Sequence, residues 1–174
     1  MLSKFDDYPI HQTPEPVYHT ASSDRFFYDR YWYNGHARDG SFYFGVGLCR
    51  YANLGILDCS LSLAIDGHQY AFHGSRRAPH EPTDTTVGPF ALQILEPMGR
   101  HRVVIEANAT GITCDLVFTP RTACIEEGRQ TLRNERHIVM DATRLDQFGF
   151  WSGWIRYDGR ELKVDGRTTY GLKD

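Results

Sequence analysis

Apolar side chains recur at every second position along most of the stretch from Phe42 to Ile65. Phe42, Phe44, Val46 and Leu48 share one side, with Ser41, Tyr43, Gly45 and Gly47 on the other. After a short break, Leu57, Cys59, Leu61, Leu63 and Ile65 alternate with Asp58, Ser60, Ser62 and Ala64. A period of two sends successive side chains to opposite faces of a strand, so both segments predict strands with one buried face. The pattern returns in Phe90-Leu92-Ile94, in Val103-Ile105-Ala107 and in Ile112-Cys114-Leu116-Phe118. The stretch from Arg133 to Leu145 has charges at helical spacing around a β-favouring Ile138-Val139 centre, and it reads as a strand. A further strand is expected from about Gln147 to Tyr157 and a short one through Leu162 and Val164. No segment carries a helical stripe.

The punctuation fits hairpins. Asp39-Gly40, Asp66-Gly67, Asp158-Gly159 and Asp165-Gly166 are turn dipeptides, because Gly accepts positive φ freely and Asp tolerates it better than most residues. Counted this way, the chain holds about nine or ten strands at intervals typical of an antiparallel barrel or a strongly curved sandwich. The fold class is all-β. With no helix to cover it, the apolar face must curl on itself or meet a second sheet, and a barrel of this size has room for one small apolar ligand. Gly45 and Gly47, on one face of their strand, permit a bend or the close approach of another group.

Composition narrows the rest. The 174 residues suit one domain with a sizeable core. Residues 1–22, with Pro9, Pro14 and Pro16, read as an extended arm wrapping the body, and 23–174 as the β domain. Nineteen Lys and Arg against 22 Asp and Glu give a net charge of −3, which disfavours nucleic acid as a partner. No apolar run approaches the roughly 20 residues of a membrane span, nor has the N-terminus a signal-peptide core, so a cytoplasmic protein is expected. Cys49, Cys59, Cys114 and Cys124 lack the spacing of a zinc knuckle or a redox pair and read as reduced, structural thiols.

Chemistry is harder to locate. The eight histidines include no pair one residue apart on a strand, so no metal is expected. There is no nucleophile elbow, and the glycines at 45 and 47 lie within a strand rather than ahead of a helix, so no nucleotide cofactor is expected either. Asp115, Asp141, Asp146 and Asp174 sit among apolar or aromatic residues, where burial raises a carboxyl's pKa and suits it to general-acid work. Arg121, Arg144 and the Arg76-Arg77 pair are candidates to grip an acidic group. Aromatic residues cluster between Phe26 and Phe44, and Phe148, Phe150, Trp151 and Trp154 place rings on both faces of one strand.

The runs SDRFFYDRYWYNGHARDGSFYFGVGLCRYANLGILDCSLSLAIDG, VGPFALQILEP, GITCDLVFTPRT, MDATRLDQFGFWSGWIRYDG and TTYGLKD resemble the N-terminal half of a lipocalin-like (calycin-type) family. It includes hydroxyneurosporene synthase (carotenoid 1,2-hydratase) and the AttH-type proteins. The likeness covers about residues 23–174. It implies two β domains in tandem, of which this would be the first, and action on polyenes or prenylated rings in some relatives. In such proteins a Gly-rich turn leads to an acidic residue and a Trp-Gly pair where the halves join; Gly171-Leu172-Lys173-Asp174 matches its start, and the sequence stops before the Trp-Gly end.

Two functions follow as expectations. In the first, a hydrophobic small molecule such as an isoprenoid or polyene binds in the barrel, with Tyr43 and Arg121 fixing its pose and Phe148, Phe150, Trp151, Trp154 and Tyr170 lining it. Asp174 would then be the acid of a hydratase or cyclase in a complete two-domain protein. In the second, the chain is a non-catalytic half that packs on a second β domain or forms a homodimer.

Overall fold

Alternation in the sequence becomes one curled sheet. The computed structural model describes residues 1–174. Its strands are β1 (Asp29–Ala37), β2 (Phe42–Tyr51), β3 (Ile56–Ile65), β4 (His68–Arg77), β5 (Thr86–Val87), β6 (Phe90–Ile94), β7 (His101–Ile105), β8 (Thr113–Pro120), β9 (Ile125–Glu126), β10 (Gln130–Asn134), β11 (His137–Ala142), β12 (Leu145–Tyr157), β13 (Arg160–Val164) and β14 (Thr169–Lys173). Twelve form a single sheet in the order β4-β3-β2-β1-β14-β12-β8-β7-β6-β5, with β9 and β13 also pairing β12; β10 and β11 make a separate hairpin. Every pairing is antiparallel. The free edges, β4 and β5, meet through side chains, Arg76 lying 2.7 Å from Asp84 and 3.4 Å from the hydroxyl of Thr86. The result is a nearly closed barrel of lipocalin-like shape. No helix is long and apolar enough to cross a membrane.

The strand count exceeds the expected nine or ten because short pieces pair locally. β5 and β9 have two residues each, and the expected strand from Arg133 falls within the β10–β11 hairpin, whose turn holds Glu135 at a φ of 52°. All five β10 residues are exposed, so no apolar face held this segment in the main sheet. Asp66-Gly67 and Asp158-Gly159 take positive φ at both positions, as two-residue hairpins require. Asp165 works differently, its carboxylate accepting from the Arg167 backbone N–H at 2.9 Å.

The inward face is solid. Gly35, Gly171 and Gly149 are register partners across β1, β14 and β12. A Cβ on any of them would collide with the ring of Phe44, Trp151 or Phe118, respectively. This bare strip lets the rings lie against the sheet: Trp151 stands 5.5 Å from Phe44, 5.3 Å from Phe118 and 5.7 Å from Tyr33, centre to centre, and all four residues are fully buried. Trp151 Nε1 donates to the Asn34 carbonyl at 2.8 Å. The interior expected to hold a ligand is thus occupied at its centre by the chain's own rings.

The arm also differs from a simple wrapping. A 3-10 turn, Lys4–Asp7, capped by Ser3, inserts Asp7 into one end of the barrel, where it is 4% exposed. Its carboxylate accepts from Lys173 Nζ at 2.7 Å, from His101 Nε2 at 3.0 Å and from the Met98 N–H. His101 Nδ1 meets the Tyr33 hydroxyl at 2.6 Å. A neutral imidazole protonated on Nε2 satisfies both contacts. Burial alone would raise the Asp7 carboxyl, but the His101 hydrogen bond and the Lys173 ammonium outweigh it and bring it down to about 2. His101 is lowered, burial opposing its charged form more strongly than Asp7 supports it.

Candidate functional site

Small outward residues Gly45, Gly47, Ser60 and Ser62 on β2 and β3, beside Trp32 and Arg30 of β1, build a trough. Two rows cross the four strands in register: Trp32, Gly47, Ser60 and His73, and beside them Arg30, Cys49, Asp58 and Ser75. These eight residues line a groove of about 590 Å³. The Trp32 indole lies over the glycines, where a Cβ at Gly45 would come within 3.0 Å of Trp32 Cη2 and one at Gly47 within 3.6 Å of Cε3. The close approach permitted by Gly45 and Gly47 is therefore that of Trp32. The half-buried indole forms an apolar wall of the trough.

Two acidic groups border the trough. Burial pushes the Asp58 carboxyl up, and across from it burial first, with some help from Asp58, pushes the Cys49 thiol up to about 11. Cys49 is therefore a neutral thiol at physiological pH, while burial disfavours the charged form of Asp58. Asp174 pairs with Trp32 through two backbone hydrogen bonds of 2.8 Å, extending the β1–β14 ladder. Its carboxylate holds Arg30 at 2.9 Å.

Most of the other residues expected from the sequence gather on this same outer face. Tyr43, His36, Tyr170 and Phe150 run side by side across β2, β1, β14 and β12. Phe150 and Tyr170 are 5.6 Å apart, and the Arg121 guanidinium lies 5.8 Å from the Phe150 ring centre. Asn34, Leu172 and Phe148 form the next row, and Tyr43 and Phe148 are close to half exposed. Trp151 stands apart on the inner face. Trp154 is also separate, farther along β12 with Arg156 stacked 4.5 Å from its ring centre. Of the other carboxyls, Arg102 and Arg129 hold Asp115 and Asp141 below the usual range, whereas burial and a hydrogen bond with Glu127 raise Asp146.

Trp32 and Asp58 are the residues that sequence reasoning did not single out. Trp32 lay within the Phe26–Phe44 aromatic cluster, and its position before an outward glycine pair on the next strand was the available signal. Asp58 resembles every other polar residue on an alternating strand, and only the cross-strand register places it against Cys49.

The profile of a family of unknown function (DUF8625) matches residues 2–174, and the chain belongs to that family. No curated protein sequence matches it. Among solved structures, kievitone hydratase from Nectria haematococca is similar over 97% of this chain and 52% of its own, with a TM-score of 0.58 and 12% identity. CghA is similar over 84% of this chain and 44% of its own, with a TM-score of 0.50 and 13% identity. At these identities the likeness shows the fold, a lipocalin-like barrel. The chain spans about half the length of the solved structures it matches.

Proposed function

We propose that this chain binds a largely apolar, unsaturated small molecule in the outer trough, against Trp32. The observation that carries this reading is the indole seated on Gly45 and Gly47 with a carboxyl, Asp58, in the same groove. The resemblance to hydroxyneurosporene synthase and AttH-type proteins supports an isoprenoid or polyene as the ligand class, and the fold's likeness to a hydratase supports hydration as the reaction.

In a complete two-domain protein the same groove would run an acid-catalysed hydration. The Asp58 O–H gives its proton to one alkene carbon, and the π pair becomes the new C–H bond. The cation left on the other carbon faces the Trp32 ring, which attracts positive charge. Water adds there and returns a proton to the Asp58 carboxylate, so the net change is alkene plus water to alcohol. Asp174, paired with Arg30 at 2.9 Å on the rim of the same trough, is the alternative acid. Binding of all-trans-retinol, followed by quenching of tryptophan emission, tests the reading. Trp32→Ala should weaken saturable quenching about tenfold or more, as loss of a stacked aromatic wall predicts. Equal affinity in the two proteins would remove the trough from consideration.

A second reading keeps the fold and drops the chemistry. The neighbouring outer side chains of Tyr43, His36 and Phe148, which are exposed, and of Tyr170 and Phe150, which are half-buried, favour a surface that packs on another β domain. The chain's span of about half of each similar structure agrees with it.

A further inference from the structure

The N-terminal arm has one deep anchor. Among residues 1–22 only Asp7 and Pro9 are buried. The arm's backbone hydrogen bonds run within the arm, as from the Asp6 N–H to the Ser3 carbonyl and from Tyr8 to Phe5, and none joins it to a strand. Its other ionic ties to the barrel, Met1 to Glu126 and His11 to Asp29, lie at the surface. With no ladder to break, the arm can lift while the sheet stays whole. What it then withdraws is the capped 3-10 turn, Lys4–Asp7, and with it the Asp7 carboxylate.

Donors from β14, β7 and the loop before β7 converge on that carboxylate. Lys173 Nζ donates to Oδ1 at 2.7 Å, while His101 Nε2 at 3.0 Å and the Met98 N–H both donate to Oδ2. Lys173 is 2% exposed and His101 is 0%. Asp7 is the only partner of the ammonium, so without it a buried cation would stand unpaired at high cost. Met98 takes a φ of 59°, a left-handed conformation that a long side chain seldom adopts, and such positions cluster at ligand clamps. The arrangement selects a carboxylate. A halide cannot engage both sets of donors, and an amide would set its own NH2 against one of them. We infer that the barrel end is a binding site for a small monocarboxylate anion, and that the N-terminal arm is a strap that closes the site with a carboxylate of its own. Acetate has the atoms of the Asp7 side chain without the tether, so in the same position it reaches the same donors. It enters as the arm lifts, in competition with a tethered group at high effective concentration. The site is independent of the trough and of any reaction there.

The test starts with the whole parent chain and a lysine-specific endoprotease. Lys4 lies in the 3-10 turn, so cleavage after it reports the lifted arm. Acetate fills the site behind the lifted arm and should raise this rate about threefold or more over sodium chloride at equal ionic strength. Acetamide should not. In Asp7→Gly, which removes the tethered carboxylate, Lys4 should be cut about tenfold faster than in the parent, and acetate should no longer change the rate. The melting temperature of that variant should fall by about 10 °C or more, the mark of a broken buried ion pair. Acetate should restore about half of the loss, where chloride and acetamide restore none. Adding Lys173→Met should abolish the recovery. If Asp7→Gly does not fold, the cleavage rate of the parent still decides. A parent rate that acetate leaves at its chloride value would overturn the assignment, as would equal recovery of Asp7→Gly in acetate, chloride and acetamide.

Discussion

Two indoles press on glycine from opposite faces of one sheet, and they do different work. Trp151, inside, rests on Gly171, packs on Phe44 and Phe118, and donates to the Asn34 carbonyl. Trp32, outside, lies over Gly45, half-buried, and lines the trough. The same contact is a core joint on one side and a binding wall on the other, and what decides is whether rings from neighbouring strands close over it. Truncating the two should separate these roles. Trp151→Ala should cost about 3–5 kcal/mol of stability, the range for a large core aromatic. Trp32→Ala should cost about 1 kcal/mol or less. Urea unfolding of both variants gives the comparison, and equal losses would mean that the outer indole is structural.

The glycines sharpen the contrast with a smaller effect. A methyl at Gly171 would strike both Trp151 and the backbone carbonyl of Asn34. Neither can retreat through a filled core, so Gly171→Ala should lose about 1–3 kcal/mol. A methyl at Gly45 would meet only the tip of Trp32, at 3.0 Å. That ring has open space to tilt into, and alanine recovers some of the entropy glycine loses in a strand, so Gly45→Ala should lie within about 0.5 kcal/mol of the parent. Melting temperatures of the pair would decide it; a large loss at Gly45 would show that Trp32 is locked in place.

How much of this the sequence disclosed depends on the distance over which each feature is encoded. Strands, turns and the inward residues of β2, β3 and β8 follow from alternation and from Asp-Gly pairs, which are local. The outer row of Tyr43, Phe150 and Tyr170 was within reach too, because their strand parity agrees. The filled interior was not. It depends on Gly35, Gly171 and Gly149 falling opposite one another, and residues so far apart in sequence meet only through cross-strand register. Asp7 was hidden for the same reason: a Pro-rich arm carries no periodicity, and nothing near Asp7 announces Lys173 or His101. Asp58 likewise acquires its setting from Cys49 and Ser75, its register partners on neighbouring strands.

The smallest effect expected is electrostatic, and it again sets two sites against each other. His11, in the arm, is raised by its hydrogen bond to Asp29 at 2.6 Å. A raised folded value means that its contribution is fully present below the unfolded value near 6.5 and is lost as pH rises through the folded one. His101, in the barrel end, is lowered by burial. The unfolded chain then takes up this proton first, so stability falls as pH drops from about 6.5 through the depressed folded value. The two slopes oppose each other, each bounded by about 1.4 kcal/mol per pH unit. Asp7 adds an acid loss only lower down, from its ordinary carboxyl value towards about 2. Urea midpoints measured from pH 7.5 to 5 should therefore pass through a maximum near pH 6.5 in the parent, rising as pH falls to that value and declining below it. His101→Gln should remove the decline below about pH 6.5 and leave the rise above it, with His11 acting alone, and His11→Gln should remove the rise and leave the decline. Parallel pH profiles for the two variants would mean that the arm's histidine and the barrel's share one environment, against the separation of His11 on Asp29 from His101 on Asp7.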